Sequence, residues 1–374
     1  MISSTNFLSK VAWVFIFGFL SFSIPSGAQE VKKEDSVIPK GRITIAVFPV
    51  ENLSGTLAPS KEIRQIFIEK LRANGFDVLD EGTLELFMAK YRIRYTGGIN
   101  REIAKAFKQE VGTDGVLMTT LELYNDTNPP KISFISRLVS TGDSPTISWI
   151  DGVGLSGDDS RGLLDLGLIE DPKILLDKAM KLVFDSLNRS LSTGTMGIGG
   201  GNPKRKFRPK IFYRSPILEP GRKYTVAIVP FFNYSLRKYA GDLMVLHFAK
   251  ELKRFKTFDV IEPGMVRQVF LQVRIIMDQG ISLADAESVM SLLNADLILT
   301  GGVTDYEDYQ GGVGKPKVSF SAQLIERKSK GVVWSSTSYN QGDDGVFFFE
   351  QGKIRTAYVM ASQMAEAIGK MIGK

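Results

Sequence analysis

The run Ile43 to Val50 is apolar and rich in β-branched residues, and it ends in Pro49-Val50-Glu51-Asn52. An uninterrupted run of this kind predicts a strand buried on both faces that leaves its sheet into a turn. Ile63, Ile66, Phe67 and Leu71 then recur at helical spacing, so a helix follows. Phe76 to Leu79 predicts a short second strand, and two helical stretches lead into a third from Gly115 to Leu121. Ile132, Phe134, Ser136 and Leu138 alternate with period two, which predicts an antiparallel hairpin with one face buried and a turn at Gly142. A helix from about Pro172 to Leu187 closes the unit.

The whole pattern occurs twice. Ile43 to Ser54 matches Tyr224 to Ser235 at an offset of 181, including Pro49 with Pro230 and Asn52 with Asn233. Phe76-Asp77-Val78 meets Phe258-Asp259-Val260, and Asp114 to Leu117 meets Asp296 to Leu299, both at 182. Lys131 to Phe134 aligns with Lys317 to Phe320, Trp149 with Trp334, and Gly157-Asp158-Asp159 with Gly342-Asp343-Asp344. Offsets that drift only from 181 to 186 across more than a hundred residues imply one fold in both halves. In the second half, Leu243, Leu246, Ala249 and Leu252 mark the first helix, and the hairpin turns near Gly331.

The expected fold class is therefore α/β, as two tandem copies of a mixed β-sheet with packed helices in the order β-α-β-α-α-β-β-β-α. The copies are expected at 41–192 and 221–374. A Gly-, Pro- and base-rich linker at 193–220 separates them, and a polar lead-in at 29–40 precedes them.

Residues 1–28 are read as a secretory signal. Lys10 precedes the apolar run Val11 to Phe22, and Ser26 and Ala28 are the small residues a signal peptidase needs. The run is short of the roughly 20 residues of a spanning helix. There are no cysteines among the 374 residues, which excludes disulfides, thiolate metal sites and a lipid-bearing cysteine. The compartment expected is the bacterial periplasm, with possible association to the outer membrane.

Formal charge is +6, but it is concentrated. Between Thr193 and Lys223, eight basic residues face one acid, Glu219, a balance of +7. A basic linker of this kind is no folded nucleic-acid-binding face. It reads as a solvated spacer, with peripheral contact to a membrane or cell-wall surface through Lys204 to Lys210 as the alternative.

Little in the chain points to catalysis. His247 is the single histidine, too few for a histidine-rich metal site, and is expected in a surface or half-buried packing role. The duplicated acids Asp158-Asp159 and Asp343-Asp344 carry side chains suited to a hard cation or to acid–base work, but acids after a glycine at a strand end are ordinary turn residues. The runs Gly199-Gly200-Gly201 and Gly311 to Gly314 lack the strand, helix and lysine of a phosphate loop. No cofactor or metal is expected. The features that diverge between the copies are the loop Asp305 to Tyr309 and the run Phe347-Phe348-Phe349, and divergent loops on a shared scaffold are where function is expected. Tyr306, Asp308, Tyr309, Asp343, Asp344, Phe347, Phe348 and Phe349 are accordingly the candidate partner-binding residues.

Ala227 to Ser235, Thr257 to Glu262, Ala295 to Val303 and Val332 to Ser335, with a looser copy in the first half, carry a further signal. The pattern A-V-x-P-x-x-N-x-S, then G-F-D-V, A-D-x-x-L-T-G-x-V and V-x-W-S, resembles the small periplasmic α/β domain shared by the curli-secretion channel subunit, the lipoprotein activators of penicillin-binding proteins, the N-terminal domain of TolB and related flagellar basal-body proteins. The resemblance spans nearly all of the mature chain, once per half. It implies a non-catalytic envelope module that binds other proteins. The chain departs from the lipoproteins of that group in having no cysteine to acylate. Its hairpins turn early and carry Arg137, Gln323 and Glu326, which disfavours a membrane pore. The expectation is a periplasmic binding or assembly protein of a secretion, cell-wall or flagellar/pilus complex. The alternatives are a homo-oligomeric ring component of an export apparatus and a hydrolase that uses the Asp pairs.

Overall fold

The computed structural model describes residues 43–160, 167–193, 205–276, 281–311, 313–346 and 352–373. The first repeat contains β1 (Thr44–Val47), β2 (Glu51–Asn52), α1 (Ser60–Ala73), β3 (Asp77–Val78), α2 (Glu81–Lys90), α3 (Arg101–Val111), β4 (Gly115–Asn125), β5 (Lys131–Ser140), β6 (Ile147–Ser156) and α4 (Pro172–Thr193). The second contains β7 (Ile211–Arg214), β8 (Tyr224–Ile228), β9 (Phe232–Asn233), α5 (Ala240–Lys253), β10 (Phe258–Val260), α6 (Pro263–Val273), α7 (Leu283–Leu293), β11 (Leu297–Glu307), β12 (Lys317–Glu326), β13 (Gly331–Gln341) and α8 (Ala357–Ile372).

Each repeat builds a mixed sheet. The first runs β3-β1-β4-β5-β6 and the second β10-β8-β11-β12-β13-β7, with β2 on β4 and β9 on β11. In both, the buried first strand pairs parallel with its neighbours and the long hairpins are antiparallel. The helices start where the side chains can cap them. Asp80, Asn100 and Ser282 accept the backbone N–H groups of Thr83, Ile103 and Asp285 at the starts of α2, α3 and α7.

Two readings of the chain change here. The segment 193–220 is not wholly a linker. The α4 helix extends to Thr193, Arg205–Phe207 forms a 3₁₀ turn, and β7 adds to the open edge of β13. Its Ile-Phe-Tyr sequence has the strand propensity to do so, despite the basic flanks. The expected loop at Asp305 to Tyr309 is largely strand, since β11 continues through Glu307 opposite Lys317.

The layers interlock across the repeats. Ile45 and Val47 on one face of the first sheet pack with α1 and α4. On the other face, Ala46, Phe48, Val116 and Met118 pack with α2 and α3, and one continuous core runs from there into α5 and α8 and on to Val226, Ile228 and Leu299 of the second sheet. Helices α6 and α7 cover the far side of that sheet with Val266, Phe270 and Val289. The α5 helix thus lies between two sheets. Every residue from Ala240 to Leu252 except Asp242 is buried, the polar His247, Lys250 and Glu251 included, because the helix is covered on both sides.

Candidate functional site

The joint between the repeats gathers most of the buried ionisable side chains, and it begins at a defect in β4. The register with β5 shifts between Leu121 and Leu123, so Glu122 sits on a β-bulge. The bulge places its carboxylate, 1% exposed, in the joint. There it accepts the hydroxyl proton of Tyr306 from β11, and His247 Nε2 of α5 lies 3.2 Å away. That nitrogen is 2.9 Å from the Tyr306 oxygen, and Nδ1 is 2.9 Å from Ser362 Oγ on α8. Because Ser362 accepts from Lys250 Nζ at 2.9 Å, its own proton is available to Nδ1. Burial, and then the Glu122 charge, hold the Tyr306 phenol well above the ordinary tyrosine range, so it stays a donor.

A second cluster lies further along the same seam. Lys131 of β5 donates to the Tyr309 carbonyl at 2.8 Å, with its ammonium 3.1 Å from the Tyr309 ring centroid. Burial pulls the Lys131 pKa down to about 8. Asp158 pairs with Arg355 at 2.6 Å. Asp308 accepts the Ala357 backbone N–H at 2.7 Å at the start of α8, and burial pushes its pKa up to about 6. Arg237 donates to the carbonyls of Ser54 at 3.0 Å and Leu53 at 3.1 Å, and to that of Glu122.

The third cluster is an ion pair with no solvent exposure on either side. Arg137 of β5 meets Glu262, the N-cap of α6, at 3.1 Å, and also donates to the Gly97 carbonyl. Near it Gly98 and Gly264 bring two backbones together. A Cβ on Gly264 would stand 2.4 Å from the Ile99 nitrogen.

These placements redistribute the candidate residues. Tyr306, Asp308 and Tyr309 do come together, but within the joint, where Tyr306 is 2% exposed and unavailable to a partner in solution. His247 is fully buried instead of surface or half-buried, because α5 has sheets on both sides. Asp343 forms an ion pair with Lys315 at 3.1 Å, and Asp344 accepts from the Gln341 nitrogen at 2.8 Å and from Asn340 at 3.1 Å. They shape the turn after β13 and stand apart from the joint. Asp159 likewise accepts from the Ser156 nitrogen at 2.7 Å. No group of His, Asp and Glu side chains suited to a metal ion occurs among the described residues. Phe347, Phe348, Phe349 and Lys204 lie outside the described residues. Of the remaining basic stretch, Lys206 donates to the Asp344 carbonyl at 2.6 Å, while Arg208 and Lys210 are exposed.

Glu122, Lys131, Arg137 and Arg237 were not singled out from sequence as joint residues. The signal that marks the contact is glycine inside a strand. Gly152 and Gly154 of β6 lie under Tyr358, where added Cβ atoms would come within 2.5 and 2.4 Å of its side chain.

No family model and no curated protein sequence matches this chain. Among solved structures, the chain is similar to the PelC dodecamer from Paraburkholderia phytofirmans, at 23% identity over 44% of this chain and 96% of that one, with a TM-score of 0.32. It is also similar to lipoprotein GNA1162 from Neisseria meningitidis (18%, 38% and 98%, 0.28) and to the LpoB C-terminal domain from Salmonella enterica (12%, 33% and 89%, 0.26). Among the described residues no helix is long and apolar enough to cross a membrane.

Proposed function

We propose that this chain is a non-catalytic periplasmic binding or assembly protein that contacts a cell-envelope complex through its second repeat. The observation that carries the reading is an unequal pair of equivalent surfaces. On the first sheet, Ile135, Arg137 and Ile150 are buried against the other repeat. The same positions of the second sheet are Ser321, Gln323 and Ser335, and this face, with Thr337, Tyr339, Ile211 and Tyr213, is open to solvent. Tyr339 is 55% exposed and Ile211 71%. A scaffold face built to receive a protein in one copy is thus available for a protein in the other. Against an enzyme, the one histidine is sealed, and the paired acids are held by Arg355, Ser156, Lys315 and Asn340.

The reading is tested by cross-linking tagged mature protein in intact cells and identifying what is recovered. Recovery of a cell-wall synthase or a secretion component, lost in a Thr337→Arg, Tyr339→Ala double variant, is expected. Recovery of no envelope protein, or of unchanged amounts from the variant, overturns it. Ladders of the chain alone would assign the open face to self-assembly instead.

A further inference from the structure

The two sheets end differently at their hairpin edges. In the first sheet the outermost strand is β6. The Gly157 N–H donates to the Pro130 carbonyl at 2.8 Å, so by the two-residue alternation of an antiparallel ladder the main-chain groups of Ile150 and Gly152 point away from β5. The outward Gly152 N–H is answered at 2.9 Å by the carboxylate of its neighbour Asp151, which also accepts the Ser186 hydroxyl. A charge turned onto an edge in this way blunts it against further pairing.

At the repeat offset of 185 Ser336 stands in the place of Asp151, and there the edge is extended: β7 pairs with β13, Phe212 opposite Ser336. The new edge strand is held in place. Phe212 stacks on Trp334 with ring centroids 5.6 Å apart, and Arg214 donates to the Met371 carbonyl at 2.6 Å. The Ser215 N–H donates to the Val333 carbonyl at 2.8 Å, so Tyr213 and Ser215 bond to β13, while the main-chain groups of Phe212 and Arg214 point outward. Among the described residues no strand pairs with that outer edge. Ile211, Phe212 and Tyr213 on it are 71%, 53% and 52% exposed. An apolar edge strand without a blocking charge is a template for pairing with another chain.

The charge around the edge selects what pairs there. Arg208 and Lys210 precede β7 with exposed side chains, and neither meets a carboxylate among the described residues. Lys210 touches the Lys206 carbonyl at 3.2 Å and stands 5.5 Å from the centroid of the Tyr339 ring. The next acid along the chain, Glu219, is 3.7 Å from Arg222. A second copy of β7 alongside the first would bring two such basic flanks together, which disfavours it. We infer that β7 receives an extended segment of a partner protein as an added strand, with alternate apolar side chains beside Ile211 and Tyr213 and an acidic residue near Arg208 and Lys210. This rests on the reading of the second repeat as the partner-binding half and names the element that the partner presents beside the open face of β12 and β13.

The experiment follows the fluorescence anisotropy of a labelled, capped peptide, alternating valine and threonine flanked by aspartates at each end, titrated with the mature chain. Saturable binding is expected. The same peptide with lysines for aspartates should bind about threefold or more weaker, on the scale of exposed ion pairs. N-methylation of its central residues, which removes its main-chain donors, should abolish binding. Phe212→Pro removes an outward N–H but no bond of the ladder between β7 and β13, so the chain should stay folded and lose affinity by about tenfold or more. Arg208→Glu with Lys210→Glu should reverse the preference between the aspartate and lysine peptides. Absence of saturable binding, equal binding of the two peptides, or full affinity in Phe212→Pro would overturn the inference. So would dimerisation of the chain in sedimentation that is lost in Phe212→Pro, since it assigns the edge to a second copy. If Phe212→Pro does not fold, the charge-reversed double variant decides. In intact cells, a folded Phe212→Pro that keeps the envelope partner, beside a Thr337→Arg, Tyr339→Ala variant that loses it, would overturn strand addition and leave the proposed function standing.

Discussion

The two repeats fold the same strands in the same order, yet one turns its hairpin face inward and the other outward. Ile135, Arg137, Ile150, Gly152 and Gly154 of the first sheet are covered, whereas Ser321, Gln323, Ser335, Thr337 and Tyr339 of the second are not. The helices show the complementary difference. The α5 helix is buried almost all round, but α1 turns Lys61, Glu62, Gln65 and Glu69 to solvent, and α4 turns Lys173, Asp177, Lys181 and Asp185. A third repeat stacked on α1 and α4 would have to desolvate these charged faces, which costs several kcal/mol per unpaired ion. The pair is therefore closed at the helical end of the first repeat and open at the sheet face of the second. Duplication yielded one inter-repeat contact and left one face over, and that asymmetry separates a structural half from a half with a free surface.

The sharpest way to break this comparison is at Arg137. Arg137→Met leaves Glu262 buried with its charge unpaired, and a loss of about 3–5 kcal/mol is expected in urea denaturation. The matching change in the other repeat, Gln323→Met, should stay within about 0.5 kcal/mol, since it alters an exposed position. Equal losses at the two sites would mean that the joint is not the stabilising contact described.

Next in size is the glycine floor under Tyr358. A Cβ on Gly154 would meet the Tyr358 ring at 2.4 Å, and a packed ring between two sheets has little room to give. Gly154→Ala should cost about 1–3 kcal/mol by overpacking. The loss should be smaller when Tyr358 is also changed to Leu, a non-additivity that marks direct contact. Tyr339→Ala, at the equivalent position of the open sheet, should be nearly neutral for stability.

Much of this was legible in the residues. The offsets of 181 to 186 located both sheets, and period-two alternation at Ile132 to Leu138 located the hairpins and one buried face. The expectation of a single buried face fails in the first repeat, where Lys131 to Val139 of β5 are buried on both sides because the second repeat covers the other face. The joint was not legible, for a physical reason. An arginine or glutamate in a strand ordinarily marks a solvent face, so nothing in the residues themselves marks Arg137 and Glu122 as buried, and only the partner 125 or 184 residues away shows that they are inward and paired. The β7 strand was hidden by its basic flanks in the same way. Gly152 and Gly154 inside a strand, and the unbroken apolar run Leu243 to Leu246 of α5, are the cues that a second face is covered.

A smaller effect should appear in the pH dependence of the joint. Asp308 has its pKa raised to about 6, so the folded chain holds its proton more tightly than the unfolded chain does. Stability from this group is fully present below the unfolded carboxylate range near 4 and declines as pH rises toward 6. Lys131 acts at the other end. Its pKa is lowered to about 8, so the unfolded chain binds more protons between 8 and about 10.5, and stability rises with pH across that window. Urea midpoints should therefore fall from pH 4 to 6 and climb above pH 8. Asp308→Asn should flatten the acid limb and Lys131→Met the alkaline one. Persistence of either slope in its variant would place the titrating group elsewhere.

The least effect on stability, and the most on the comparison, belongs to the open face itself. Thr337→Arg with Tyr339→Ala changes exposed side chains that pack against no other element of the second repeat's core, so the unfolding midpoint should move by no more than about 0.5 kcal/mol. If that face receives an envelope protein as the first sheet receives α5 and α8, the same variant should lose its cross-linked partner while it remains folded. A variant of the sealed joint such as Arg137→Met should instead lose partner and stability together. Retention of the partner by the folded Thr337, Tyr339 variant would move the contact off β12 and β13, and leave the asymmetry between the repeats as a means of ending the stack and nothing more.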